Sequence, residues 1–297
     1  MDYDEFGLLH ENAAEYDLSF DPDDPPRVER VTVEAPSGHA LSALVWGEGP
    51  AELVLLHGGA QNAHTWDTVA LALDRPLLAI DLPGHGRSQW RDSKDYRPSA
   101  MADDVADTVA QLAPEARCVV GMSLGGLTAI ATLSARPDLT ERVAIVDVTP
   151  GVNREKASVV TDFIAGPEHF ASFEEILERT IAFNPTRSEA SLRRGVLHNA
   201  MELPDGRWTW RYDRFTPDRI EGLDLGMAHL WDAIESLDHP MLFCKGATSP
   251  VVDADDLDEL RRRKPDVEVV IVDDAGHSIQ GDQPIVLAEH LVAFLDT

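Results

Sequence analysis

Apolar residues alternate with polar ones or run together over Val28 to Ala35 and Ala40 to Gly47, on either side of Pro36-Ser37-Gly38, which predicts a β-hairpin. The rhythm then changes. Leu53-Val54-Leu55-Leu56 is a continuous apolar run, Thr65 to Leu73 has helical spacing, and Pro76 to Ile80 is the next buried strand. Ser99 is expected to open a helix, with Asp103 near its capping-box position, running to about Leu112. Cys118-Val119-Val120 predicts a strand that runs directly into a helix whose apolar face is Leu127, Ile130, Ala131 and Leu133, with no breaker before Pro137. Val143 to Val146 is a further strand, and Pro150-Gly151 interrupts the pattern.

From Val152 to about Leu237 the buried β runs stop. This stretch reads as helices carrying Phe163, Phe170, Phe173, Phe183, Trp208, Trp210, Tyr212, Phe215 and Trp231, with one short extended piece at Gly206 to Trp210. Met241 to Cys244 resumes the strands, Leu257 to Arg263 predicts a helix, Val267 to Val272 the last strand and Ile285 to Leu295 the closing helix. The expected fold class is α/β: a mostly parallel eight-stranded sheet flanked by helices, with an inserted helical cap. The domain boundaries follow, with an acidic extension at 1–27, a core at 28–150 and 238–297, and a cap at 151–237.

Such a sheet gathers reactive groups beyond the carboxyl ends of its strands. His57, Asp81, Ser123, Asp147, Ser249 and His277 each fall just past a predicted strand, although they are scattered along the chain.

Composition narrows the setting. With 297 residues and 43 % apolar content the chain can bury a substantial core, and no apolar run approaches the roughly 18 residues needed to cross a membrane. The first 26 residues lack the basic start and apolar stretch of a secretion signal, and Cys118 and Cys244 both lie in strand-like runs, so a reduced, cytoplasmic protein is expected. Acidic residues number 53 against 25 basic ones, and the formal charge of -28 repels nucleic acid and anionic membranes alike. Lysine occurs only at positions 94, 156, 245 and 264; with the acidity this fits either ordinary solubility or a salty cytoplasm. The expected partner is a small-molecule substrate, and the protein is expected to act as a monomer or homodimer. No zinc spacing, P-loop or dinucleotide fingerprint is present, so neither a metal nor another cofactor is expected.

The most specific chemistry lies in Gly121-Met122-Ser123-Leu124-Gly125-Gly126. A serine at a sharp strand-to-helix turn needs small residues two before and two after it, and Gly121 and Gly125 supply them. The helix from Leu124 aims free N–H groups and a positive dipole at an oxyanion forming beside the serine. Together with His57-Gly58-Gly59, Asp81-x-Pro83-Gly84-x-Gly86-x-Ser88 and Ala275-Gly276-His277, this elbow resembles the α/β-hydrolase fold family over nearly the whole length from Val28 to Leu295. The resemblance implies a serine nucleophile at Ser123, a base at His277, and an oxyanion hole from the N–H groups of Gly59 and Leu124.

His277 also stands on its own chemistry, because a serine hydroxyl needs a neighbouring base and imidazole titrates near neutral pH. His57 and His85 read as structural. The acid departs from the family pattern: the slot three residues after Gly246 holds Ser249, and Asp147 at the end of the preceding strand is the expected acid, against Asp253 or Asp255. Trp66 and Trp210 are candidate substrate contacts. The implied activity is hydrolysis of a carboxylic ester or lactone. The alternatives are a carbon–carbon hydrolase of ring-fission diketones and a low-turnover ligand receptor.

Overall fold

The computed structural model describes residues 3–153, 155–214 and 227–297. Phe215, one of the aromatics expected in the cap, lies outside the described residues. In chain order the first elements are α1 (Leu9–Glu15), β1 (Val28–Glu34), β2 (Ala40–Trp46), β3 (Leu53–Leu56), α2 (Asp67–Leu73), β4 (Leu77–Ile80), α3 (Pro98–Leu112), β5 (Cys118–Met122), α4 (Leu124–Ala135) and β6 (Arg142–Val146). The insertion carries α5 (Ser158–Ile164), α6 (Phe173–Phe183), α7 (Glu189–Asn199), β7 (Ala200–Glu202), β8 (Trp208–Trp210) and α8 (His229–Ser236). The chain closes with β9 (Met241–Gly246), α9 (Ala254–Arg263), β10 (Glu268–Val272), α10 (Ile279–Asp282) and α11 (Pro284–Leu295).

The sheet has eight strands in the order β1-β2-β4-β3-β5-β6-β9-β10, and β2 alone runs against its neighbours. The fold is therefore α/β with a mostly parallel sheet. The hairpin register pairs Val28 with Trp46 and Glu34 with Ala40, and Gly38 takes the left-handed backbone (φ 83°) that its turn requires. The central strands are buried on both faces, which is why their sequences are unbroken apolar runs. In β3, Val54 and Leu56 join the core on one face while Leu53 and Leu55 join the core on the other. Helices α3, α4, α8 and α9 cover the first face and α1, α2 and α11 the second.

Local chemistry sets several boundaries differently from the periodicity. Helix α3 opens on Pro98 at its first turn with no side-chain cap, because proline lacks only an N–H that would have no partner there, so the Ser99–Asp103 capping box is not what starts it. Helix α9 begins three residues earlier than its apolar pattern, since Asp253 and Asp256 form a reciprocal capping box. Helix α8, inside the span expected to be cap, packs against α4 and contributes Leu230, Trp231 and Ile234 to the core. The remaining insertion has its own apolar cluster, with Phe170, Phe173, Ile176, Trp210 and Tyr212.

The acidic amino-terminal stretch is no loose tail. Leu9 and Ala13 are buried, and Leu9 packs into the core face below α2. Glu5 pairs with Arg30 (2.6 Å), His64 (3.0 Å) and Arg87 (3.2 Å) of the core. On the other side Glu15 pairs with Arg194 and Ser188 of the insertion, and Tyr3 Oη bonds His198 Nδ1 at 2.6 Å. The segment thus bridges the core and the insertion. The partners of these carboxylates arrive from distant parts of the chain.

Candidate active site

Ser123 occupies the turn between β5 and α4 with φ 52° and ψ -119°, a left-handed conformation costly for a residue with a Cβ. The crowding explains the two glycines. A Cβ on Gly121 would lie 2.3 Å from Gly125 O, and one on Gly125 would lie 2.3 Å from Leu56 O, so either side chain would push strand and helix apart. The strained turn is held by the Ser123 N–H to Val146 O (3.0 Å) and by Gly126 and Leu127 N–H groups to Ser123 O.

His277 follows β10 in a loop pinned by the Gly276 N–H, which donates to Asp282 Oδ2 at 2.9 Å. Its Nε2 lies 3.0 Å from Ser123 Oγ and its Nδ1 lies 2.8 Å from Asp147 Oδ2. A carboxylate can only accept, so Nδ1 carries the proton and the Nε2 lone pair faces the serine. This arrangement places a base where it can take the hydroxyl proton and a buried anion where it can hold the resulting imidazolium. Asp147 is wholly buried at the end of β6, with φ 52°, and its Oδ1 accepts the Gly246 N–H at 2.9 Å. Asp253, by contrast, caps α9 and pairs with Lys156 at 2.8 Å, and Asp255 is exposed on the same helix.

The Gly59 and Leu124 N–H groups have no acceptor among the described residues. The two residues adjoin: a Cβ on Gly59 would lie 4.0 Å from Leu124 Cδ2. His57 sets this loop. It is fully buried, its Nε2 accepts the Leu82 N–H at 2.9 Å and its Nδ1 donates to Gly58 O at 2.7 Å. In a trans peptide the N–H points opposite the carbonyl, so fixing Gly58 O also aims the Gly59 N–H. Burial, and then the adjacent His85, push the His57 pKa down to about 3, which keeps the ring neutral and able to do both. His85 bonds Pro83 O at 3.0 Å in the neighbouring turn.

Ser123, His277 and Gly59 open on a cavity of about 370 Å³. Its lining includes apolar Phe163, Ile164, Phe183, Trp210 and Val251, and polar Asn12 and Tyr16 from the amino-terminal segment with Arg187, Arg194 and Asn199 from the insertion. Trp210, a candidate substrate contact, lines this cavity. Trp66 does not: it is fully buried in the core beneath the turn Ala63–Trp66, among residues such as Leu53, Leu55 and Val69, and lines no part of the cavity. Asn12, Tyr16 and the arginines were not visible as site residues in the sequence, since nothing local in it brings them to the serine.

Among the described residues, His64, Asp67 and His198 form a buried group whose ligand atoms lie within 4.8 Å of one another. They do not make a metal cradle. His64 already faces Asp67 Oδ2 (2.9 Å) and Glu5 Oε1 (3.0 Å) with its two ring nitrogens. The two imidazoles stack at 3.9 Å with only 11° between their planes, so their lone pairs run side by side and do not converge on one point. Burial disfavours charge on His64, but Asp67 and Glu5 outweigh it and raise its pKa to about 9.

Comparison with known proteins agrees with this architecture. The model of the alpha/beta hydrolase family matches residues 53–290. Esterase Rv0045c of Mycobacterium tuberculosis is 43 % identical over 301 residues, covering 99 % of this chain and 96 % of that protein, and its crystal structure superposes with a TM-score of 0.87 over 100 % of this chain and 99 % of that one. The sn-1-specific diacylglycerol lipase ABHD11 of Xenopus laevis is 30 % identical over 78 % of this chain and 75 % of its own length. E-2-(acetamidomethylene)succinate hydrolase, at 24 % identity and a TM-score of 0.81 over 91 % of this chain and 100 % of that one, shares the fold. The chain belongs to the alpha/beta hydrolase family and is a hydrolase.

Proposed function

We propose that this hydrolase cleaves a carboxylic ester or lactone through an acyl-enzyme on Ser123, with His277 as general base and Asp147 as its acid partner. The observation that carries the reading is the unbroken series from Ser123 Oγ to His277 (3.0 Å) and from His277 to Asp147 (2.8 Å). His277 takes the serine proton as Oγ attacks the acyl carbon, then returns it to the leaving alcohol. Free N–H groups at Gly59 and Leu124 receive the charge that develops on the carbonyl oxygen, and one such donor is worth roughly 10²–10³ in turnover. A water activated by His277 then releases the acid. The apolar part of the lining suits an acyl chain, and the 43 % identical esterase supports ester cleavage.

The test is intact-mass detection of a covalent adduct with a fluorophosphonate probe, followed by turnover on aryl esters and lactones. Wild-type protein should gain the adduct and Ser123→Ala should not. Asp147→Asn should lose about 10³–10⁴-fold in kcat, while Asp253→Asn stays near wild type. Labelling of Ser123→Ala, or full activity in Asp147→Asn, would overturn the assignment. A chromogenic dienoate separates carbon–carbon cleavage from ester cleavage.

A further inference from the structure

Asp147 Oδ2 receives two donors. One is His277 Nδ1 at 2.8 Å and the other is the hydroxyl of Ser249, in the turn after β9. The direction of the second bond is settled by chemistry: a carboxylate only accepts, and Ser249 Oγ itself accepts the Val251 N–H at 3.2 Å, which leaves its proton for Asp147. The Ser249 N–H donates to Gly246 O at 3.1 Å, and the Gly246 N–H donates to Asp147 Oδ1 at 2.9 Å, so one turn grips both carboxylate oxygens.

We propose that Ser249 is a positioning residue of the hydrolytic site, its hydroxyl holding Asp147 in the rotamer that serves His277 and drawing charge from the oxygen they share. The inference rests on the reading of Asp147 as the acid. Without the hydroxyl, the carboxylate loses one of its three donors and turns more freely, so fewer encounters find His277 aligned with Ser123. Its charge is also less dispersed and holds an imidazolium more strongly. Other ionisable groups around the pair are accounted for. Burial, Glu268 and Asp147 together push the Cys244 thiol up to about 12, Lys156 is paired with Asp253 (2.8 Å) and Asp256 (2.7 Å), and Asp282 accepts the Gly276 N–H.

A purely architectural role predicts something else. Pro250 and Val251 line the cavity, so a residue that merely shapes this turn would act on substrate binding. In the full-length enzyme with an aryl ester, Ser249→Ala should lower kcat about tenfold with KM changed less than about twofold, and Ser249→Thr, which keeps the hydroxyl, should recover most of it. The acid limb of kcat/KM against pH should move up by roughly half a unit in Ser249→Ala. A raised KM with unchanged kcat, or an unmoved acid limb, overturns the proposal. If Ser249→Ala does not fold, Ser249→Cys is measured instead: its thiol is a poor donor, and wild-type kcat there overturns the proposal equally. Full activity in Asp147→Asn would sink the underlying acid assignment, whereas an inactive Asp147→Asn beside a silent Ser249→Ala sinks this inference alone.

Discussion

Two tryptophans are both buried, but only one of them also lines the cavity, and the difference is measurable. Trp66 is enclosed by core residues of β3 and α2, whereas Trp210 meets Phe163 at 5.6 Å and faces the cavity. Truncating a large buried aromatic costs about 3–5 kcal/mol, so Trp66→Ala should show a markedly lower Tm with little change in KM for whatever remains folded. Trp210→Ala should instead enlarge the cavity and shift ester preference toward longer acyl chains, seen as a change in relative kcat/KM across a chain-length series. Equal substrate profiles in the two variants would contradict this placement. The sequence named both as candidate contacts and could not tell them apart, because a tryptophan carries the same local signal whether it is enclosed by a core or also borders a cavity. Ser123 and His277 were legible for the opposite reason: each is flanked by residues whose backbone needs are peculiar to its position, Gly121 and Gly125 for the serine and Ala275-Gly276 for the histidine.

Among the elements, α1 and its lead-in behave least like their sequence. Glu5 is half-buried; burial disfavours its charge, but His64 and Arg30 lower its pKa to about 2, and His64 in turn rises to about 9. A raised histidine contributes stability that is full below its ordinary 6.5 and is lost as pH climbs through about 9; a lowered glutamate contributes above its ordinary 4.5 and loses it as pH falls toward 2. Docking of the segment should therefore be firmest between about pH 4.5 and 6.5, weakening on the alkaline side, where a neutral His64 leaves buried Asp67 uncompensated. Amide protection over residues 9–16, measured by hydrogen exchange and corrected for intrinsic rates, should drop between pH 7 and 10, and Glu5→Gln should shrink that drop. Unchanged protection would refute this pH-dependent docking. Helix starts tell a parallel story. Asp253 and Asp256 announce α9 through local hydrogen bonds, but α3 begins on a proline whose fixed φ outweighs the nearby capping pattern.

At the scale of the whole molecule, the excess of 53 acidic over 25 basic residues sets a self-repulsion that folding must overcome. Several of the acidic groups are nonetheless tied down, as in Glu5 with Arg30 and Asp104 with Arg91 at 2.5 Å, so the unbalanced charge is largely that of exposed carboxylates. Raising NaCl from about 0.05 M to about 1 M shortens the screening length from over 10 Å to about 3 Å and should raise Tm by a few degrees. A fall in Tm would show that screened attractions matter more than screened repulsion. Among the described residues no helix is long and apolar enough to cross a membrane.

The sequence by itself determined the alternation of strands and helices, the two-faced burial of the sheet and the elbow that presents Ser123, because hydrophobic period and glycine need are properties of neighbouring residues. The sequence favoured Asp147 as the acid but left Asp253 and Asp255 open; tertiary structure decided that Asp147 meets His277, that Ser249 shares the same oxygen, and that Asn12 and Tyr16 of the amino-terminal segment line the cavity. Those outcomes depend on which distant strands lie side by side. Strand β6 sits between β5 and β9, which delivers Asp147 next to both the serine turn and the Ser249 turn, and no local pattern encodes that order.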